Sequence, residues 1–179
     1  MKDLFVTYIE NRFQDVPWYV YVSLVLTFLI GSVVITYCTG LKKSLIHSSL
    51  LLLVEYVFLL ISSTVFFRTY NESRVHKFRP FWSYYEVQNG NDNFIPEIVM
   101  NILVFAPIGF LLGCCYRKIR WWKVMLIGFF LSAIIEIMQL VFDKGYAEVD
   151  DLIHNTIGCV VGYGLYCIVK NGYKIVKRS

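Results

Sequence analysis

S132-A-I-I-E136-I-M-Q139-L-V-F-D-K-G-Y-A-E148-V-D150-D151-L-I-H154-N155-T-I-G158-C-V-V-G162-Y-G164 is the stretch that decides how this chain folds. It reads as an apolar helix, an acidic turn and a second apolar helix. Spacings of three and four put Ser132, Glu136 and Gln139 on one helical face. The same arithmetic aligns Asp151, Asn155, Gly158 and Gly162 on the next helix. Polar groups on membrane helices are costly, so two matched polar stripes joined by a short turn demand a shared purpose.

The membrane assignment rests on composition. Of 179 residues, 57% are hydrophobic and 17% charged, with a mean hydropathy of +0.56. That excludes an ordinary soluble domain of this size and points to a single-domain, all-α integral membrane protein. Apolar runs at about 19–38, 45–67, 98–115, 124–142 and 152–169 predict five transmembrane helices. Residues 1–17 are mixed and charged, with no small-residue cleavage site after them, so the first run reads as a retained helix. The five cysteines lie in or beside apolar runs without metal-type spacing and read as small hydrophobes.

Within the spans, Glu55 stands out near the middle of the second. An ionised carboxylate there would cost about 2.5–3.5 kcal/mol, so it should be protonated, paired or facing a wet cavity. In the third span Pro107 should loosen the helix, and Gly109 and Gly113 offer a face for close packing. Between the second and third spans, Arg68–Glu97 is charge-balanced and dense in aromatics: Phe78, Phe81, Trp82, Tyr84 and Tyr85. Pro80 and Asn89–Asp92 argue against one long helix. This segment fits an aromatic piece lying in the headgroup region. Pro96 and Glu97 read as the first turn of the third span.

Charge bias sets the expected orientation. The Lys42–Lys43 loop, the Arg117–Lys123 loop and the C-terminal tail share one side and hold ten Lys/Arg, against seven on the other. The short connections decide it, and the positive-inside rule places the N-terminus outside and the C-terminus in the cytoplasm. A net charge of +4 held mostly in short loops speaks of topology, not of nucleic acid as a partner.

Three blocks of sequence carry a resemblance. They are P80-F-W-S-Y84, N101-I-L-V-F-A-P-I-G109, and E136-x-x-Q139 followed by E148-V-D-D-L-I-H-N-T-I-G158. In this order, over roughly Arg68 to Gly164, they resemble the VanZ-like family of bacterial membrane proteins. The resemblance implies a multi-pass protein of the bacterial cytoplasmic membrane. Its namesake is associated with resistance to the lipoglycopeptide teicoplanin. Many relatives carry Arg where this chain has Lys144, so an Arg-specific bidentate role is not expected here.

The spans and orientation together predict one outward-facing polar pocket. Its expected lining is Arg68, Asn101, Glu136, Gln139, Asp150, Asp151, His154 and Asn155, with Arg79 reaching in from the loop. Glu136 should lie about 9 Å below the outer end of its helix, at ~1.5 Å per residue. Three roles compete. The polar groups could simply bond helix to helix. They could form a catalytic site, with Glu136, Asp151 and His154 as acid or base on a lipid or polyprenyl-linked envelope intermediate. A metal set of Glu148, Asp150, Asp151 and His154 is the weaker variant of that reading. Third, they could engage an amphiphile, either membrane lipid, a lipoglycopeptide or a lipid-linked envelope precursor, whose tail stays in the bilayer. No cofactor motif is present: the chain has no G-x-S-x-G and no phosphate-binding loop. The expectation adopted is the third, a protein that alters susceptibility to teicoplanin-type antibiotics.

Overall fold

The computed structural model describes residues 15–68, 77–144 and 148–176, with side chains at 41, 42 and 174–176 excepted. The charged segment before residue 15, and Lys177 and Arg178 of the tail, lie outside the described residues. Five helices long and apolar enough to span a membrane are present: α1 Trp18–Thr39, α2 Leu41–Ile61, α4 Ile95–Cys115, α5 Trp121–Val141 and α6 Val149–Val176. A short helix, α3 Trp82–Gln88, lies between α2 and α4. With every backbone group satisfied inside its own segment, helices are the form such apolar runs take in lipid.

Two boundaries depart from the apolar runs. Helix α6 starts at Val149, a turn before the hydrophobic stretch, because Asp150 and Asp151 sit favourably in its first turn. Helix α2 does not continue regularly into its last turn but closes through a π-helical turn, Ser62–Phe66. Hydroxyls compete with the helix ladder there: Ser63 Oγ and Thr64 Oγ1 both donate to the Leu60 carbonyl, at 3.0 and 2.7 Å.

Helices α4 and α6 form the centre of the bundle. A Cβ at Gly109 would fall 1.8 Å from the Cys159 carbonyl oxygen, one at Gly158 2.3 Å from that of Ile102, and one at Gly162 1.8 Å from that of Ala106. The two backbones therefore touch, which is what small residues on facing helices allow. Gly113 gives way to the Tyr166 ring in the same manner, 2.4 Å from an added Cβ. Around this crossing pack Phe105, Ile108, Leu112, Val124, Ile135 and Cys159. Pro107 is accommodated inside α4, and the Tyr56 hydroxyl of α2 donates to the Val104 carbonyl one turn away, at 2.8 Å.

Helix α1 is peripheral. Its partner is α2, to which Thr36 bonds through Ser44 at 2.6 Å, and Trp18, Ile30, Val33 and Tyr37 project outward. Glu55 is 8% exposed, and its Oε1 has no hydrogen-bond partner among the described residues.

The glycine contacts predict opposite signs for two similar substitutions. Gly162→Ala meets a carbonyl that cannot rotate away, so the helices must part, at an expected loss of about 2 kcal/mol or more. Gly164 has nothing within 4 Å of an added Cβ, so Gly164→Ala should be neutral or stabilise by up to ~1 kcal/mol. Thermal denaturation in detergent separates them, and equal effects would contradict the close crossing.

Candidate functional site

The first sequence block and the start of the second, Asn101, meet the first two turns of α6. The loop before α3 runs alongside the start of that helix: Lys77 pairs with Glu148 in an isolated parallel bridge, and the Val149 N–H donates to the Lys77 carbonyl at 3.3 Å. Asp150, 1% exposed, then receives α3. One carboxylate oxygen accepts the Phe81 N–H at 2.5 Å. The other accepts the Ser83 N–H at 2.9 Å and the Ser83 hydroxyl at 2.6 Å. Helix α3 has no side-chain cap of its own, so Asp150 caps it from across the fold. His154, also 1% exposed, meets the Tyr84 hydroxyl through Nε2 at 3.1 Å. Burial and the Asp150 charge push the Tyr84 phenol above its ordinary range, so it keeps its proton for that bond.

The deeper polar residues tie the spans together. Asn155 donates to the buried Ser132 hydroxyl at 2.8 Å, which joins the two polar stripes. Gln139 donates to the Thr64 carbonyl at 3.2 Å, satisfying backbone that the π-helical turn takes out of the regular ladder. Lys144 donates through Nζ to the Arg68 carbonyl at 3.0 Å. A single point donor serves here, which is what a lysine ammonium supplies.

The remaining acids gather beside these struts. Asn101 of α4 is fully buried and donates to Asp151 at 2.5 Å. The Glu136 carboxylate accepts the Glu148 N–H at 2.9 Å, and Asp151, Glu148 and Arg68 are the charged groups that act on it. Glu97, Glu148 and Asp151 bring one oxygen each within 4.8 Å of one another. That is a hard-oxygen set of the kind that suits a divalent cation. It differs from the ligand set expected from the turn alone, since Asp150 and His154 are engaged with α3.

The expected residues thus gather at one end of the bundle, in two layers. Asn101, Gln139, Asp150, His154 and Asn155 are buried, whereas Arg68, Glu136 and Asp151 are partly exposed. Arg79 is exposed, and its guanidinium lies 4.7 Å from the Tyr85 ring centroid. Sequence spacing does not mark Ser83 or Tyr84 as partners, and Glu97 reads there only as a helix-dipole acid. Glu97 nevertheless stands four residues before Asn101, on one face of α4, and that spacing is a usable signal.

Burial and the acids Asp151, Glu97 and Asp150, opposed by Lys77, raise the Glu148 carboxyl from 4.5 to about 8. Between those values the unfolded chain releases a proton that the folded chain retains. The contribution of this group to stability is therefore full below pH 4.5 and is lost as pH rises to about 8. Glu148→Gln should flatten this decline. Melting temperatures in detergent at the two ends of the window test it, and an unchanged slope would assign the decline to other groups.

No solved structure matches the chain. Protein VanZ of Enterococcus faecium is 33% identical over 70 residues, which cover 39% of this chain and 44% of that relative, less than half its length. A sequence model of the VanZ/LLP1 family matches residues 18–170. With the five spans and all three sequence blocks inside or overlapping that range, this chain belongs to the VanZ/LLP1 family.

Proposed function

We propose that this protein alters susceptibility to envelope-directed lipoglycopeptide antibiotics of the teicoplanin type. It does so by engaging an amphiphilic ligand, a lipoglycopeptide or a lipid-linked envelope precursor, at the carboxylate end of the bundle. The observation that carries the reading is that the partly exposed Arg68, Glu97, Glu136 and Asp151 gather at one end, where exposed Phe81, Tyr84 and Tyr85 stand nearby on α3 and its N-cap. A polar headgroup meets charge there while its tail stays among rings and lipid. With the N-terminus outside and the C-terminus in the cytoplasm of a bacterial cell, this end faces the outer leaflet of the cytoplasmic membrane. The buried residues Asn101, Gln139, Asp150, His154 and Asn155 hold the helices that present the four charged groups. Arg79, on the loop before α3, contacts the ligand from above.

One observation favours a second reading. Glu136 and Asp151 are two partly exposed carboxyls at the same end of the bundle, and such a pair can serve as acid and base, as an enzyme acting on a lipid or polyprenyl-linked intermediate requires. Graded expression in a teicoplanin-sensitive host distinguishes the two. A binder protects in proportion to its copy number and leaves the lipid extract unchanged by mass spectrometry. A modified lipid, with protection that saturates at low copy number, would replace binding with catalysis. Unaltered susceptibility at every expression level would remove both.

A further inference from the structure

The opposite end of the bundle holds a second polar feature of reversed sign. An open cleft of about 960 Å³ lies where the loop between α4 and α5 meets α2. Its mouth carries Arg117, Lys118, Arg120 and Lys123, and no acid is among the described residues that line it. Its floor is apolar: Leu50 and Leu53 of α2, Leu112 of α4 and Ile127 of α5.

The loop is pinned rather than loose. The Ile119 N–H donates to the Tyr116 carbonyl at 2.8 Å, the Tyr163 hydroxyl to the Ile119 carbonyl at 2.6 Å, and Lys170 to the Arg117 carbonyl at 2.8 Å. Helix α5 starts within this basic mouth. Its first turn has no acid, and its N-cap residue Arg120 makes no capping hydrogen bond. A helix N-terminus ordinarily attracts negative charge. Here four cations are added to it, in a cleft whose other wall suits hydrocarbon. Trp121 and Trp122, 59% and 38% exposed, mark the level of the membrane interface.

We propose that this cleft binds an anionic phospholipid from the leaflet it faces. The headgroup phosphate sits among Arg117, Lys118, Arg120 and Lys123 at the start of α5, and one acyl chain lies along Leu50, Leu53, Leu112 and Ile127. Phosphate suits this mouth because guanidinium groups and backbone N–H groups both donate to its oxygens. The apolar floor selects a lipid over a free anion. The site lies at the other end of the spans from the carboxylate cluster and does not rest on the function proposed above.

Native mass spectrometry of protein released from vesicles of equal phosphatidylglycerol and phosphatidylcholine tests it. Wild type should retain phosphatidylglycerol in preference by about tenfold, which corresponds to ~1.4 kcal/mol. The combined variant R117Q/K118Q/R120Q/K123Q should bring the ratio close to one. Leu50→Trp keeps every charge and fills the floor, so it should lower retention of phosphatidylglycerol even if the quadruple variant fails to fold. Equal retention of both lipids by wild type would overturn the proposal, as would a preference that survives in Leu50→Trp. Complete displacement of the lipid by excess inorganic phosphate would identify a free-anion site instead.

Discussion

Asp150→Ala is expected to release α3 from the bundle, at a loss of roughly 3 kcal/mol. The side chain accepts three hydrogen bonds from Phe81 and Ser83, and without it the two buried Ser83 donors and the part-buried Phe81 N–H would lose their acceptor. Phe81 adds to the effect. Its φ of 62° lies in the left-handed region, where a bulky residue persists only if its surroundings hold it. Without the carboxylate, Phe81 should relax and the first turn of α3 should open. Trp82 and Ser83, 8% and 3% exposed, would then become accessible. The Lys77 ammonium, 3.2 Å from the centroid of the Trp82 ring, would lose its platform. Asp150→Asn retains one acceptor oxygen and should cost less, about 1 kcal/mol. Hydrogen exchange over residues 81–88 measures both. Wild-type protection in Asp150→Ala would mean that α3 is held by its aromatic contacts alone.

The five spans were legible because each is an unbroken apolar run of the length a bilayer needs. Their ends were less so. The hydrophobic stretch of α6 begins at Leu152, yet the helix starts at Val149, because its first turn is made of acids that the helix dipole favours and a hydropathy pattern passes over. The π-helical turn at Ser62–Phe66 leaves no mark in apolar periodicity; only the run of hydroxyl residues accompanies it. At the site, the stripes of Ser132 and Asn155 could be read from helical spacing, and they meet. The bonds from Asp150 to Ser83 and from His154 to Tyr84 join residues 67 and 70 apart. No local period encodes such pairs; they follow from how α3 lies on α6.

The largest functional effect is expected from Glu136→Gln and Asp151→Asn. Both changes preserve shape and an acceptor oxygen. In Glu136→Gln the new amide oxygen would still receive the Glu148 N–H. In Asp151→Asn the new side chain would still offer an oxygen to Asn101. Each replaces an ionisable carboxyl, beside a crowded set in which Glu97, Glu148 and Asp151 lie within 4.8 Å of one another, with a neutral amide of the same shape, so the fold should hold. What is lost is the carboxyl group presented to a headgroup. The most direct measurement is teicoplanin susceptibility of cells carrying wild type or either variant at matched membrane levels. Binding through the carboxylate end predicts that both variants are present in full amount and that protection falls to the level of cells without the protein. Full protection by both variants would contradict it and reduce these residues to struts between helices.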